Sequence, residues 1–202
     1  MLCLCEEISE SYKQSEKLHL FVEWALEGAE LSLKDIEAVA LGMGPGSYTG
    51  LRIGASAAKG FCYALDIPLV AVNSLDTLAV PYVGKGYDLI IPLVDARRME
   101  VYTGFYDGTT GKMISETENL ILNEDSFAHL TNKKLLFVGD GAAKAKDILK
   151  IKADFQLEVF PSARYLIEMA DQKAAKSDFE DIAYFEPFYL KDFHGVKSST
   201  KN

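Results

Sequence analysis

The first half of the chain alternates short apolar runs with longer amphipathic stretches. Apolar and β-branched runs of four to eight residues favour strands, whereas apolar positions three and four residues apart favour helices. Predicted strands cover residues 2–8, 37–41, 69–72 and 89–94, and predicted helices cover 15–29, 51–65 and roughly 75–82. Strands that alternate with helices are typical of an α/β layer with a parallel sheet.

The second half begins with a different pattern. Two strand-like runs flank a turn rich in Gly, Thr and Asp, which predicts a β-hairpin. The predicted elements are hairpin strands 99–106 and 113–122, a helix over 124–131, a strand at 135–138, a helix from 142 to 151, a strand at 158–160 and a helix from 162 to about 176. We therefore predict two α/β lobes, 1–97 and 98–194, and a polar, disordered tail at 195–202.

Charge and composition narrow the class of protein. The 202 residues include 21 Lys+Arg and 30 Asp+Glu, which give a net charge of −9, and 49% are hydrophobic. These values are ordinary for a globular chain, and the negative charge argues against stable binding of nucleic acid by the chain alone. No uncharged apolar run is long enough to span a membrane, and the start lacks the basic region of a signal peptide. We expect a cytoplasmic protein.

The three cysteines, Cys3, Cys5 and Cys62, have no CxxC spacing, which favours reduced, structural thiols. The three histidines, His19, His129 and His194, are scattered, so the sequence predicts no metal site.

A loop with several glycines lies between the predicted strand 37–41 and the predicted helix 51–65. Its candidate residues are Gly44, Pro45, Gly46, Ser47, Thr49 and Gly50. The position before a helix suits phosphate binding. However, the loop lacks the Lys of a Walker A motif and the third glycine of a dinucleotide-binding turn. The alternative is a tight structural turn in which glycines allow close backbone approach.

Two helices have more apolar or small residues than a surface helix needs. Helix 15–29 is apolar around much of its circumference, so it is either a buried core helix or a partner surface. Helix 51–65 contains Gly54 and Gly60, each of which costs about 1 kcal/mol relative to Ala, and close helix packing is the usual compensation. The candidate interface residues are Leu18, Phe21, Val22, Ala25, Arg52, Ile53, Gly54, Ala57, Ala58 and Phe61. We expect a bulky charged residue at Gly54 or Ala57 to abolish partner binding without unfolding the chain.

Four charged residues, Asp95, Arg97, Arg98 and Glu100, lie at the predicted junction of the lobes. They form either an ion-pair cluster that fixes the lobes or meets a partner, or a solvated charged turn.

Several segments together resemble the TsaB (YeaZ) family. They are Gly-Pro-Gly-Ser-Tyr-Thr-Gly-Leu-Arg-Ile-Gly at 44–54, Ala-Ala-Lys-Gly at 57–60, Asp-Ala-Arg-Arg-Met-Glu-Val-Tyr at 95–102, Phe-Val-Gly-Asp-Gly at 137–141 and Pro-Phe-Tyr-Leu-Lys at 187–191. The resemblance implies a two-lobed actin-like (ribonuclease-H-like) fold. Compared with the family, the first N-terminal strand is missing, which should leave a sheet edge or groove uncovered. Gln14 also replaces a histidine that is frequent in the family.

The resemblance implies a non-catalytic scaffold subunit in the formation of N6-threonylcarbamoyladenosine at position 37 of tRNA. The implied partners are a TsaD-like paralogue and a TsaE-like ATPase, with a homodimer when the chain is alone and no cofactor. TsaD-like enzymes carry an HxxxH metal pair after the corresponding strand, but here the stretch 72–78 has Asn73 and Thr77 instead. Two alternatives stay open. One is a small hydrolase or peptidase acting on its partner through Ser47 or Thr49, and the other is a nucleotide-binding kinase relative.

Overall fold

The computed structural model describes residues 1–8 and 14–191. The helices are α1 (Gln14–Gly28), α2 (Tyr48–Leu65), α3 (Ser74–Ala79), α4 (Ala142–Ile148) and α5 (Ile167–Ala174). The strands are β1 (Val39–Gly44), β2 (Leu69–Asn73), β3 (Leu89–Asp95), β4 (Glu100–Thr103), β5 (Tyr106–Asp107), β6 (Glu118–Ile121), β7 (Leu135–Gly139) and β8 (Asp154–Leu157). Single 3₁₀ turns occur at Leu33–Asp35, Val80–Tyr82, Ala128–Leu130 and Ala163–Tyr165.

The first sheet consists of the parallel strands β1 and β2, which pair from Val39 with Leu69 to Gly44 with Asn73. Helix α2 packs on β1 and β2, and α3 and α5 also pack on this sheet. The first four residues of β2 are buried, whereas β1 is mostly half-buried. No other described strand pairs with β1, so β1 has an open outer edge among the described residues. That a missing family strand accounts for this edge stays a prediction.

The second sheet has six strands in the order β6-β4-β3-β7-β8, and β5 pairs with β3 beside this path. Strands β3, β7 and β8 are parallel, whereas β4 and β6 run antiparallel. Both faces of β3 are buried. Leu89, Ile91 and Leu93 pack with Ala142 and Ala145 of α4. On the other face, Ile90 and Val94 pack with residues of α3. This two-sided burial explains why β3 reads as a continuous apolar run.

Several predicted elements are confirmed. Helix 51–65 is α2, the strands at 69–72, 89–94 and 135–138 are β2, β3 and β7, and the hairpin forms through antiparallel pairing of β4 with β6. Other expectations are wrong. Residues 2–8 form no strand, because an alternating pattern without a partner strand leaves its backbone groups unpaired. The strand predicted at 158–160 lies earlier in the chain. It is β8 at Asp154–Leu157, where the chain pairs with β7. The predicted tail 195–202 lies outside the described residues.

The predicted helices 124–131, 142–151 and 162–176 are shorter in the structure. The first is only the 3₁₀ turn at Ala128–Leu130, the second ends at Ile148, and the third begins with a 3₁₀ turn before α5. Strand β3 lies within the predicted first lobe but belongs to the second sheet. The chain therefore passes from the first sheet to the second before residue 89. The lobe boundary at residue 97 stays a prediction.

Candidate partner interface

Helix α2 is fixed at both ends by local contacts. The Ser47 side-chain oxygen accepts a hydrogen bond from the Gly50 amide at 3.4 Å, which caps the first turn. At the other end Asp66 adopts the left-handed conformation, with φ of 53°. The Ser47 hydroxyl predicted as a possible nucleophile therefore has a structural role as the helix cap.

The small residues of α2 face the chain's own sheet. Ala55, Ala58 and Cys62 are buried in a cluster that includes Leu69 of β2. A Cβ at Gly54 would lie 3.3 Å from Cδ1 of Leu41 on β1. The close packing expected from Gly54 and Ala58 is therefore an intramolecular contact with the sheet. A bulky charged residue at Gly54 would also disturb this packing, so the expected separation of binding from folding does not hold there.

A second face of α2 points towards α1. Ile53, Ala57 and Phe61 recur every fourth residue and are half-buried. The ring of Phe61 lies 5.8 Å from the ring of His19 on α1. Helices α1 and α2 thus contact each other within this chain.

Helix α1 is only partly covered. Leu18, Phe21, Val22 and Ala25 are half-buried, which fits a helix packed on one face. Leu20 and Trp24 are 43% and 51% exposed, and the ring of Phe21 lies 5.6 Å from that of Trp24. The exposed side of α1 is therefore apolar and aromatic.

The exposed face of α2 contains residues that the sequence did not single out for the interface. Ser56, Gly60 and Tyr63 are exposed, and Tyr63 is 84% exposed. A Cβ at Gly60 would meet nothing within 4 Å. The spacing of small residues selected α2 as a candidate, but only the position of the sheet distinguishes Gly60 from Gly54.

The glycine-rich loop begins at the end of β1 and contacts α3 and the C-terminal segment. Gly44 has φ of +109° and its amide donates a hydrogen bond to the Ser74 hydroxyl at 3.1 Å. A Cβ at Gly44 would lie 3.0 Å from the Phe188 carbonyl, so the loop and the C-terminal segment approach closely. The Gly44–Pro45 peptide bond is cis. These contacts support the structural-turn interpretation of the loop.

A groove of about 380 Å³ lies between α2 and residues 185–189. Arg52, one of the candidate interface residues, lines this groove, with its guanidinium 5.2 Å from the centre of the Tyr48 ring. Lys59 donates hydrogen bonds to the carbonyls of Ala183 and Phe185 at 3.3 and 3.1 Å. Lys59 thus connects α2 to the C-terminal segment, and Arg52 lines the groove between them.

The charged residues after β3 form two separate contacts. Asp95 pairs with Lys144 at 2.9 Å, and Glu100 pairs with Lys191. Among the described residues, these lysines, rather than Arg97 and Arg98, supply the ion pairs. Lys191, and next the Asn119 amide at 2.6 Å, hold the pKa of Glu100 below its usual value.

Lys144 and Lys191 also bind the backbone of the junction. Lys144 donates to the carbonyls of Arg98 and Glu100 at 2.9 and 3.0 Å, and Lys191 donates to that of Ala96 at 3.1 Å. The junction is therefore a turn held by hydrogen bonds from these two lysines. Arg97 and Arg98 have positive φ of 67° and 51° in this turn.

Asn73 and Thr77, the positions where the resemblance implies the HxxxH pair of TsaD-like enzymes, serve local structure here. The Asn73 side chain caps α3 by accepting from the Leu75 amide at 2.9 Å and donates to the Thr117 hydroxyl at 3.0 Å. Thr77 is buried and its hydroxyl donates to the Ser74 carbonyl at 2.7 Å. Within the described part of the chain, no group of three or more His, Cys, Asp or Glu could hold a metal ion.

Comparisons with known proteins show which family the chain resembles. A family model described as TsaD, tRNA N6-adenosine threonylcarbamoyltransferase, matches residues 9–185. The chain is 38% identical over 130 residues to the tRNA threonylcarbamoyladenosine biosynthesis protein TsaB of Bacillus subtilis, which covers 62% of this chain and 56% of that protein. The chain thus spans little more than half the length of this relative.

The match to a second relative covers a larger share of both chains. The TsaB protein of Buchnera aphidicola is 32% identical over 168 residues, covering 79% of this chain and 80% of that protein. A crystal structure from Pseudomonas aeruginosa, described as an uncharacterized protein with similarity to peptidase YEAZ, superimposes with a TM-score of 0.76 at 27% identity, covering 92% of this chain and 87% of that chain.

The fold and the family match define the class, that of two-lobed actin-like proteins described by the TsaD family model. Among the described residues, no helix is long and apolar enough to cross a membrane. Within that class, the chain belongs to the TsaB (YeaZ) family.

Proposed function

We propose that this chain takes part in the formation of threonylcarbamoyladenosine in tRNA, as a non-catalytic subunit in the cytoplasm. Its relatives from Bacillus subtilis and Buchnera aphidicola are named biosynthesis proteins of this nucleoside. The net charge of −9 favours a subunit that supports the reaction without itself holding the tRNA.

The observation that carries the scaffold role is the exposed apolar side of α1. Leu20 and Trp24 are large and about half exposed, and Phe21 contacts Trp24. Contiguous exposed apolar and aromatic residues mark protein–protein contacts, and tryptophan is frequent among the residues that dominate binding energy. The exposed Gly60 on α2 leaves room for another helix to approach.

The proposed occupant of this surface is a TsaD-like paralogue, which would bring a TsaE-like ATPase with it. A paralogue with a related fold has helices in places equivalent to α1 and α2. Its helices would therefore pack against these two by ordinary helix-to-helix contacts. The same surface could pair with its own copy about a two-fold axis when the paralogue is absent. The candidate residues Leu18, Phe21, Val22 and Ala25 would support the contact from within α1.

The local roles of the candidate catalytic side chains support a non-catalytic subunit. Ser47 caps α2, and Asn73 and Thr77 hold α3. Neither an amide nor a threonine hydroxyl is a good substitute for a histidine metal ligand.

The direct test is reconstitution of the tRNA reaction. The chain, the TsaD-like protein and the TsaE-like ATPase of the same organism are purified, and the modified nucleoside is measured in tRNA digests by mass spectrometry. We expect product only when all three are present with a source of threonylcarbamoyl-adenylate. Equal product without this chain would contradict the proposal.

The surface itself is tested by Trp24→Glu, with Ile114→Glu as matched control. Trp24 and Ile114 are 51% and 56% exposed, but Ile114 lies beyond β5, in the second half of the chain. We expect Trp24→Glu to weaken binding of the TsaD-like protein at least tenfold in calorimetry, because an aromatic side chain that the partner would bury is replaced by an unpaired charge. Equal affinities for the two variants would exclude α1 as the interface.

A second candidate is peptidase activity, because the Pseudomonas aeruginosa structure is described by similarity to a peptidase. The test is hydrolysis of the TsaD-like protein by the wild-type chain and by Ser47→Ala. Cleavage that disappears in this variant, while circular dichroism shows α2 intact, would favour this alternative over the scaffold role.

A further inference from the structure

Residues 183–191, the strap, run along α2 and the end of β1. Lys59 of α2 donates hydrogen bonds to two carbonyls of the strap at 3.3 and 3.1 Å. Phe185 is buried in a cluster with residues of α2 and β2. Further along, the Phe188 amide donates to the Met43 carbonyl of β1 at 2.8 Å. This part of the strap is therefore fixed to the first sheet and its helix.

The end of the strap lies on the second sheet. Lys191 pairs with Glu100, the first residue of β4, and donates to the Ala96 carbonyl at 3.1 Å. Its ammonium also lies 5.7 Å from the centre of the Tyr102 ring. The side chains of Lys191 and Glu100 are only 28% and 23% exposed, and a partly buried ion pair is screened less by solvent than an exposed one. Lys191 therefore connects the strap to the second sheet.

Helix α2 lies between the strap and α1. Lys59 binds the strap, whereas the ring of Phe61 contacts α1. Between these two sides, the exposed residues Ser56, Gly60 and Tyr63 form a stripe, because residues three and four apart lie on the same face of a helix. A partner helix laid along this stripe would therefore touch α1 on one side and the strap on the other.

We propose that the strap forms one side of the partner surface on α2, and that the pair of Lys191 with Glu100 is a latch that holds the strap in place. Breaking the pair releases the end of the strap from the second sheet. The contacts with α2 and β1 then hold the strap less rigidly, because one of its two anchors is lost. The role in partner binding rests on the proposed function, whereas the latch does not.

The latch is tested by hydrogen exchange and mass spectrometry on the full chain carrying Lys191→Met. Methionine keeps much of the apolar stem of the lysine and removes the charge. We expect the amides of residues 186–191 to exchange about tenfold faster than in the wild-type chain, because local opening becomes easier. The matched control is Lys150→Met, which removes an ion pair with Glu124 whose side chains are 71% and 62% exposed. Such an exposed pair contributes little, so this variant should match the wild-type chain.

A second variant, Glu100→Gln, shows whether the two side chains act as a pair. Glutamine keeps an acceptor for the Asn119 amide, which donates to Glu100 at 2.6 Å, but has no charge. This variant should also accelerate exchange in the strap. The double variant should be no faster than Lys191→Met alone, because both changes remove the same contact. Unchanged β3 and β7 amides in the same maps show that the variants stay folded. Wild-type exchange of the strap in both single variants, or additive accelerations, would overturn the latch.

Binding of the TsaD-like protein tests the strap as part of the partner surface. The strap amides should exchange more slowly in the complex. Lys191→Met should bind about threefold more weakly than Lys150→Met in calorimetry, because a loosened strap must be ordered on binding. Faster strap exchange with unchanged affinity contradicts the role in the partner surface and leaves the latch and the proposed function in place. No binding by the wild-type chain contradicts the proposed function and the partner role together, and the exchange experiment still decides the latch.

Discussion

The two sheets differ in how completely the chain covers them. Strands β3 and β7 of the second sheet have neighbours on both edges and buried residues on both faces. In the first sheet, β2 is buried but β1 is half-buried and has an outer edge with no described partner strand. Within the described residues, the central strands of the second sheet are therefore paired and buried on both sides, whereas β1 of the first sheet has an open edge.

This difference predicts unequal local stability. Backbone amides in buried, doubly paired strands open only with global unfolding, whereas amides at an open edge exchange through smaller fluctuations. The less complete region also carries α1 and α2, where we propose the partner contact. Surfaces that bind partners are commonly found where the free chain leaves apolar groups uncovered.

The largest effect should come from the core of the second sheet. Phe137 is fully buried, 5.0 Å from the ring of Phe127 and 5.2 Å from that of Phe155. Phe137→Ala should lower the free energy of unfolding by about 3–5 kcal/mol, because it leaves a cavity. Leu41→Ala on half-buried β1 should cost about half as much or less. Denaturant titration measures both, and equal losses would contradict the contrast between the sheets.

A smaller effect concerns the link between the sheets. Asp76 of α3 accepts a hydrogen bond from the Tyr106 hydroxyl of β5 at 2.6 Å, and burial raises the pKa of this carboxyl above its ordinary value of 3.8. The folded chain therefore holds the proton more tightly than the unfolded chain. Stability from this group is fully present below the unfolded pKa and is lost as pH rises through the folded pKa.

Asp76→Asn keeps an acceptor for Tyr106 but cannot titrate. Relative to this variant, the wild-type chain should lose stability as pH rises above about 4, as measured by denaturation at a series of pH values. Tyr106→Phe removes the hydrogen bond that favours the charged carboxylate, so it should extend that loss to higher pH. Parallel pH profiles for the wild-type chain and Asp76→Asn would show that the carboxyl does not titrate differently on folding.

The smallest effect compares two glycines of α2. Gly60→Ala should raise the free energy of unfolding by up to about 1 kcal/mol, because Ala is the better helix former and the position is open. Gly54→Ala should gain less or destabilise, since its Cβ would lie 3.3 Å from Leu41. Thermal unfolding of the two variants measures the difference. A larger gain at Gly54 would mean that α2 faces the sheet differently.

The extent of successful prediction follows the strength of the local signal. The apolar run of β3 was predicted closely, because burial on both faces leaves a clear mark in sequence. Helix α2 was also predicted, but it begins at Tyr48, three residues before the predicted start. Short amphipathic elements were not predicted closely. Residues 2–8 have the alternation of a strand but no partner, and β8 is set by its pairing with β7 four residues before the predicted position.

The candidate interface shows the same limit. Sequence spacing selected α1 and α2, but it could not tell which small residues of α2 face the sheet. Gly54 lies against Leu41 of β1, whereas a Cβ at Gly60 would meet nothing within 4 Å. The sequence marked both glycines alike, as unusual residues in a helix interior. Trp24, which is 51% exposed, was not among the candidate interface residues.

By itself, the sequence determined the α/β class, most of the buried strands, helix α2 and the family resemblance, because these depend on periodicity and on contiguous motifs. The tertiary structure decided the orientation of α2 and the partners of the junction charges. Lys144 and Asp95 are 49 residues apart, and Lys191 and Ala96 are 95 apart. Such contacts leave no periodic trace along the chain, because they depend on how distant elements pack.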